Sequence, residues 1–75
     1  MTVRVYVNGR GVDAPEGGTA LDAVRSFDPA LADRIASGDR ALTDSRGLPV
    51  AATSIAYHGA IYRVVANRGG EVAGA

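Results

Sequence analysis

Few side chains in this 75-residue sequence are capable of chemistry. It holds no cysteine, one histidine and one methionine, and its eight basic residues, all arginine, are balanced by eight acidic ones. Without cysteine there is no thiol nucleophile, no thiolate metal site and no disulfide to mark a redox compartment. His58 is the only imidazole; set between Tyr57 and Gly59, with no second histidine to complete a metal site, it reads as a turn residue rather than a ligand or base.

The carboxylates are scattered. Asp39 and Asp44 could approach across a turn, and Asp22 and Asp33 could flank a helix junction, yet each has a simpler role as a cap or turn residue. No acid and base stand at a defined spacing, and Thr43 and Ser45 have no neighbouring base, so nucleophilic catalysis has no support. Gly17-Gly18-Thr19 could present amides to an anion, but it lacks the longer glycine fingerprint and the lysine of phosphate loops; a loop and N-cap is the simpler reading. The expectation is therefore a protein that is not an enzyme and needs no cofactor or metal. A formal charge of zero, with no basic cluster, argues against nucleic acid as a partner.

A chain of this length buries only about 60% of the surface its unfolded form exposes, which leaves no room for a deep cavity. Apolar residues reach 47%, but fourteen are alanines, so the core is thin though globular. The first fifteen residues contain Arg, Asn and Asp and no apolar run, so no signal peptide or membrane span is expected and a cytoplasmic location is the default.

The elements that must position any site follow from periodicity. Val3, Val5 and Val7 alternate with Arg4 and Tyr6 as in a half-buried strand, Asn8-Gly9-Arg10-Gly11 supplies turn chemistry, and a short return arm runs roughly from Gly11 to Ala14 before Pro15. Thr19 and Asp22 resemble a capping box, with Leu21, Val24 and Phe27 on one side of a helix over 20–27. Asp28-Pro29 signals a second helix start and Gly38 a stop, giving one broken helix or two short ones. Arg40 to Thr43 reads as a strand, Ser45-Arg46-Gly47 as a turn, Leu48-Pro49-Val50 as a short edge segment and Ala60 to Val65 as the final strand. Strands on both sides of a central helical segment make an α+β plan.

Two stretches resemble the β-grasp superfamily of ubiquitin-like modifiers and the small sulfur carriers of thiamine and molybdopterin biosynthesis. Leu42-Thr43-Asp44-Ser45-Arg46-Gly47-Leu48 is similar to the Leu-x-Asp-Gly-Arg-x-Leu turn of ubiquitin, with Ser45 where glycine is usual, and Ile61 to Gly70 is similar to its last strand and Arg-Gly-Gly tail. Val7-Asn8-Gly9 resembles the first strand and turn of the sulfur carriers. The resemblance implies a mixed four- to five-stranded sheet with one main helix across it over residues 1–66, then a flexible tail over 67–75. It also implies activation of a terminal glycine carboxylate by an adenylating enzyme, through a channel too narrow for side chains, which Gly69 and Gly70 suit. Glu71 to Ala75 follow the pair, so a bacterial-type protein of this kind would need a tail-removing peptidase. Arg68 would pair with an acidic groove on the activating enzyme; a solvated terminal arginine is the plain alternative. Having no lysine, the protein could not form lysine-linked chains, a constraint a sulfur carrier would not feel.

The competing reading is a stand-alone binding module that docks a protein through its sheet face or an open strand edge. Its candidate contacts are the three tyrosines Tyr6, Tyr57 and Tyr62, together with Val64. The phase of the last strand decides their availability: avoiding an unpaired buried arginine at Arg63 turns Tyr62 and Val64 inward, whereas the resemblance implies that both are exposed on a recognition patch.

Overall fold

The valine alternation and the Asn-Gly pair build a tight hairpin. In the computed structural model, which describes residues 1–66, β1 (Thr2–Val7) pairs antiparallel with β2 (Arg10–Pro15), setting Val5 opposite Val12 and Val7 opposite Arg10. Asn8 and Gly9 both take left-handed backbone angles, φ 52° and 82°, as a two-residue turn matched to the strand twist requires. The expected tail over 67–75, with Arg68, Gly69 and Gly70, lies outside the described residues.

The single main helix implied by the resemblance is replaced by two, α1 (Ala20–Phe27) and α2 (Pro29–Ala36). Asp28 ends the first and caps the second, its carboxylate accepting the Ala30 N–H at 3.1 Å, and Pro29 fits the first helical position because no N–H is needed there. Eight residues are too few for either helix to persist alone, so both depend on burying Ala20, Ala23 and Val24, and Ala32 and Ile35. The capping box forms as read: Thr19 Oγ1 accepts the Asp22 N–H and Asp22 Oδ2 accepts the Thr19 N–H.

β3 (Arg40–Thr43) pairs antiparallel with β4 (Ile61–Ala66), one residue later than the expected final strand, and β4 lies parallel to β1. The sheet order is β2-β1-β4-β3. Leu48-Pro49-Val50 forms only a bridge between Pro49 and Thr43, since proline has no ladder donor to extend it. The result is an α+β protein with a mixed four-stranded sheet and two helices packed over one face. Its core is built from Val5, Val7, Val12, Val24, Ile35, Leu42 and Tyr62 among small alanines. No helix among the described residues is long and apolar enough to cross a membrane.

Candidate functional site

The strand that leads to the Gly-Gly pair lies inside the sheet, between β1 and β3. The β1–β4 ladder proper has only two register pairs, Tyr6 with Ile61 and Val7 with Tyr62. Tyr6 N–H donates to the Ala60 carbonyl at 2.9 Å and Asn8 N–H to the Tyr62 carbonyl at 3.0 Å. Side chains then lengthen the ladder at both ends. Upstream, Arg4 N–H donates to His58 Nδ1 at 3.2 Å while Gly59 N–H donates to the Arg4 carbonyl at 2.7 Å. Downstream, Val64 N–H donates to Asn8 Oδ1 at 2.9 Å, the turn residue standing in for a strand carbonyl that β1 no longer provides. Accepting at Nδ1 places the neutral imidazole proton on Nε2.

These two contacts explain His58 and Asn8 better than their turn positions do. His58 is indeed in a turn, but its imidazole serves as a ladder acceptor across 54 residues of sequence. The nearest sequence-level signal was a turn asparagine with a left-handed backbone, whose short side chain is free to bond locally.

β4 settles the conflict of phase. Tyr62 is 3% exposed and Val64 packs against the core, whereas Ile61, Arg63 and Val65 face solvent. This corrects the placement of Tyr62 and Val64 on a recognition patch: the opposite phase would bury the Arg63 guanidinium with no acidic partner, a desolvation cost far above that of exposing Ile61 and Val65. Burial, with a smaller push from Tyr57, raises the Tyr62 phenol above its ordinary value. Tyr6 remains on the solvent face at 40% exposure, beside Ile61 at 45%, with Val65 at 41% further along. The helix-free face therefore carries Tyr6, as expected, with Ile61 and Val65 in place of Tyr62 and Val64.

The other candidates are absorbed by structure. Asp33 pairs with Arg25 at 3.1 Å and Asp39 with Arg34 at 3.6 Å, both at the surface. Asp44 organises the turn after β3: its Oδ1 accepts the Arg46 and Leu48 N–H groups at 2.8 and 3.0 Å, and the Leu48 bond, more than any other contact, holds its carboxyl below the ordinary range. The Gly17-Gly18-Thr19 loop offers nothing to an anion, because the Ala20 and Leu21 amides donate to the Ser54 and Ala52 carbonyls and the Asp22 amide to Thr19. Among the described residues no three His, Asp or Glu side chains gather into a metal-holding group, and no cavity is present.

Fold and face together define a small α+β protein with a clipped central C-terminal strand and an open, partly apolar sheet surface. No protein-family model, curated protein or solved structure matches the chain.

Proposed function

We propose that this is a ubiquitin-like β-grasp protein, a modifier or sulfur carrier activated at the Gly70 carboxylate after removal of residues 71–75. One observation carries the reading: β4 lies parallel to β1 at the centre of the sheet and ends at Ala66, with only Asn67 and Arg68 between it and the glycine pair. A central strand gives the tail a fixed point of departure, which an enzyme acting on the terminal carboxylate needs, and glycine meets the steric demand of a narrow channel. Activation would join the Gly70 carboxylate to the α-phosphate of ATP with loss of pyrophosphate. Attack by hydrosulfide would then release AMP and leave a thiocarboxylate; attack by an amine would release AMP and leave an amide.

Intact mass of the protein isolated from its native host is the test. The expected species ends at Gly70, and a further gain equal to sulfur replacing oxygen selects the carrier over the modifier. A full 75-residue chain, unmodified and attached to nothing, overturns the reading. The second reading, a binding module, is favoured by one specific feature, the solvent-facing Tyr6, Ile61 and Val65. It requires that a chain cut after Ala66 still captures its partner, whereas tail activation is lost entirely in the same variant.

A further inference from the structure

The two edges of the sheet are unequal. At the β3 edge the following turn folds back: Val50 N–H donates to the Leu42 carbonyl at 2.9 Å, and Asp44 N–H donates to the Leu48 carbonyl at 2.9 Å. At the other edge β2 has, among the described residues, β1 as its one strand neighbour. The two-residue turn makes Val7 and Arg10 a hydrogen-bonded pair, and alternation along the antiparallel ladder extends this to Val5 with Val12 and Val3 with Ala14. The backbone groups of Arg4 and Tyr6 accordingly point to the β4 side, where Arg4 bonds to His58 and Gly59 and Tyr6 to Ala60, just ahead of that strand. Those of Gly11 and Asp13 point the other way, into open solvent, with no partner among the described residues.

We propose that two copies of this chain pair antiparallel through β2, centred on Val12, so that Gly11 of each copy lies opposite Asp13 of the other. Each such pair exchanges two N–H···O bonds, and the two sheets become one continuous sheet with both helical layers on the same side. Shifting the register by two residues in one direction sets Asp13 against Asp13, two like charges directly opposed, and turns Pro15, which has no N–H, toward Gly11. Shifting it the other way moves Asp13 onto the turn glycine Gly9. Only the Val12-centred register avoids both.

Charge complementarity favours a second copy over an unrelated peptide. Arg4 Nε pairs with Asp13 Oδ1 at 2.8 Å, and its guanidinium also leans over Gly11, where a Cβ would come within 2.9 Å of Nη1. A side chain at position 11 would push the guanidinium aside. In the paired state the Asp13 carboxylate of one copy, facing Gly11 of the other, therefore meets the guanidinium of that copy's Arg4. The two Arg4–Asp13 pairs become a four-membered charge cluster across the axis. Edge strands are ordinarily guarded by a lysine, a proline or a bulge; β2 has no lysine or bulge, its proline stands at the last position, and of its two charges Asp13 is paired with Arg4 while Arg10 sits beside the turn. The interface is small, so the dimer is a weak, exchanging one. It rests on β2 alone and is independent of any chemistry at the tail.

The test is sedimentation of the full chain together with amide hydrogen exchange, over about a hundredfold range of concentration. Average mass should rise with concentration, and the Gly11 and Asp13 amides should become protected in parallel, while the Val12 amide, bonded to Val5 in either state, stays unchanged. Synthetic protein with N-methylglycine at position 11 deletes an outward donor and leaves the intrachain ladder whole; its dimer dissociation constant should rise at least about tenfold, with an unaltered circular dichroism spectrum. Asp13→Arg should weaken pairing similarly, and adding Arg4→Asp should restore it. A chain that stays monomeric throughout, a dimer in which the Gly11 and Asp13 amides exchange freely, or N-methylation without effect overturns the proposal. Failure of the charge swap to rescue overturns the register.

Discussion

Asn8 bears two loads that can be separated by mutation. It accepts the Val64 N–H, and it holds φ at 52°, a conformation that side chains other than asparagine and aspartate avoid. Asn8→Gly keeps the turn and removes only the acceptor, so it should lower stability by about 1 kcal/mol in urea denaturation. Asn8→Ala adds the left-handed strain, roughly 1 kcal/mol more. Equal losses in the two variants would show that the cross-sheet bond contributes nothing. Asp44 makes a prediction in pH. Its folded-state carboxyl titrates below the ordinary value of 3.8, so its ionised form stabilises the fold above that value, and the contribution is lost as pH falls through it toward the lower folded-state value. The stability gap between the protein and Asp44→Asn, read from thermal midpoints, should therefore shrink on acidification across that window. A gap that widens would contradict the hydrogen-bonded turn.

At the scale of elements, each helix relies on its cap, because eight residues make too few internal bonds to compensate for nucleation. Thr19→Ala removes the Oγ1 acceptor for the Asp22 amide and should lower stability by about 1 kcal/mol, with Thr19→Ser close to unchanged. Loss of the same size in both variants would point to the Thr19 methyl rather than the cap. Those caps were legible in the sequence, as was the hairpin, because caps and turns are decided by neighbours a few residues apart; that Arg10 and Gly11 belong to β2 and not to the turn was not. The face of β4 was not resolved locally. Its alternation admits two phases, and the choice came from desolvation of Arg63 together with pairing to β1, which sets Tyr62 beside Val7. Of the expected contact residues that are described, Tyr6 and Tyr57 are exposed, at 40% and 66%, and Tyr62 and Val64 are not. The ladder roles of His58 and Asn8 were out of reach because their partners lie 54 and 56 residues away. Leu48 to Val50 looked like a strand from its apolar ends, but Pro49 limits it to one bridge.

For the molecule as a whole, the decisive quantity is how little large apolar volume holds two thin layers together. Val5, Val7 and Val24 are the largest side chains fully withdrawn from water, and much of the remaining interior is alanine. A chain of 75 residues has a total stability of roughly 4–11 kcal/mol. Val7→Ala deletes two buried methyl groups at the centre of the sheet, between the hairpin and the pairing with Tyr62, and neighbours already reduced to alanines and valines are poorly able to close the gap. The loss should be about 2–3 kcal/mol, counting transfer and cavity together. Val65→Ala removes the same two methyl groups from a side chain 41% exposed on the helix-free face, and should change stability by no more than about 0.5 kcal/mol. Urea titration of both variants reads the difference directly. A large loss at Val65 would mean that the outer face is covered in solution, and concentration dependence of that loss would identify the cover as another copy of the chain.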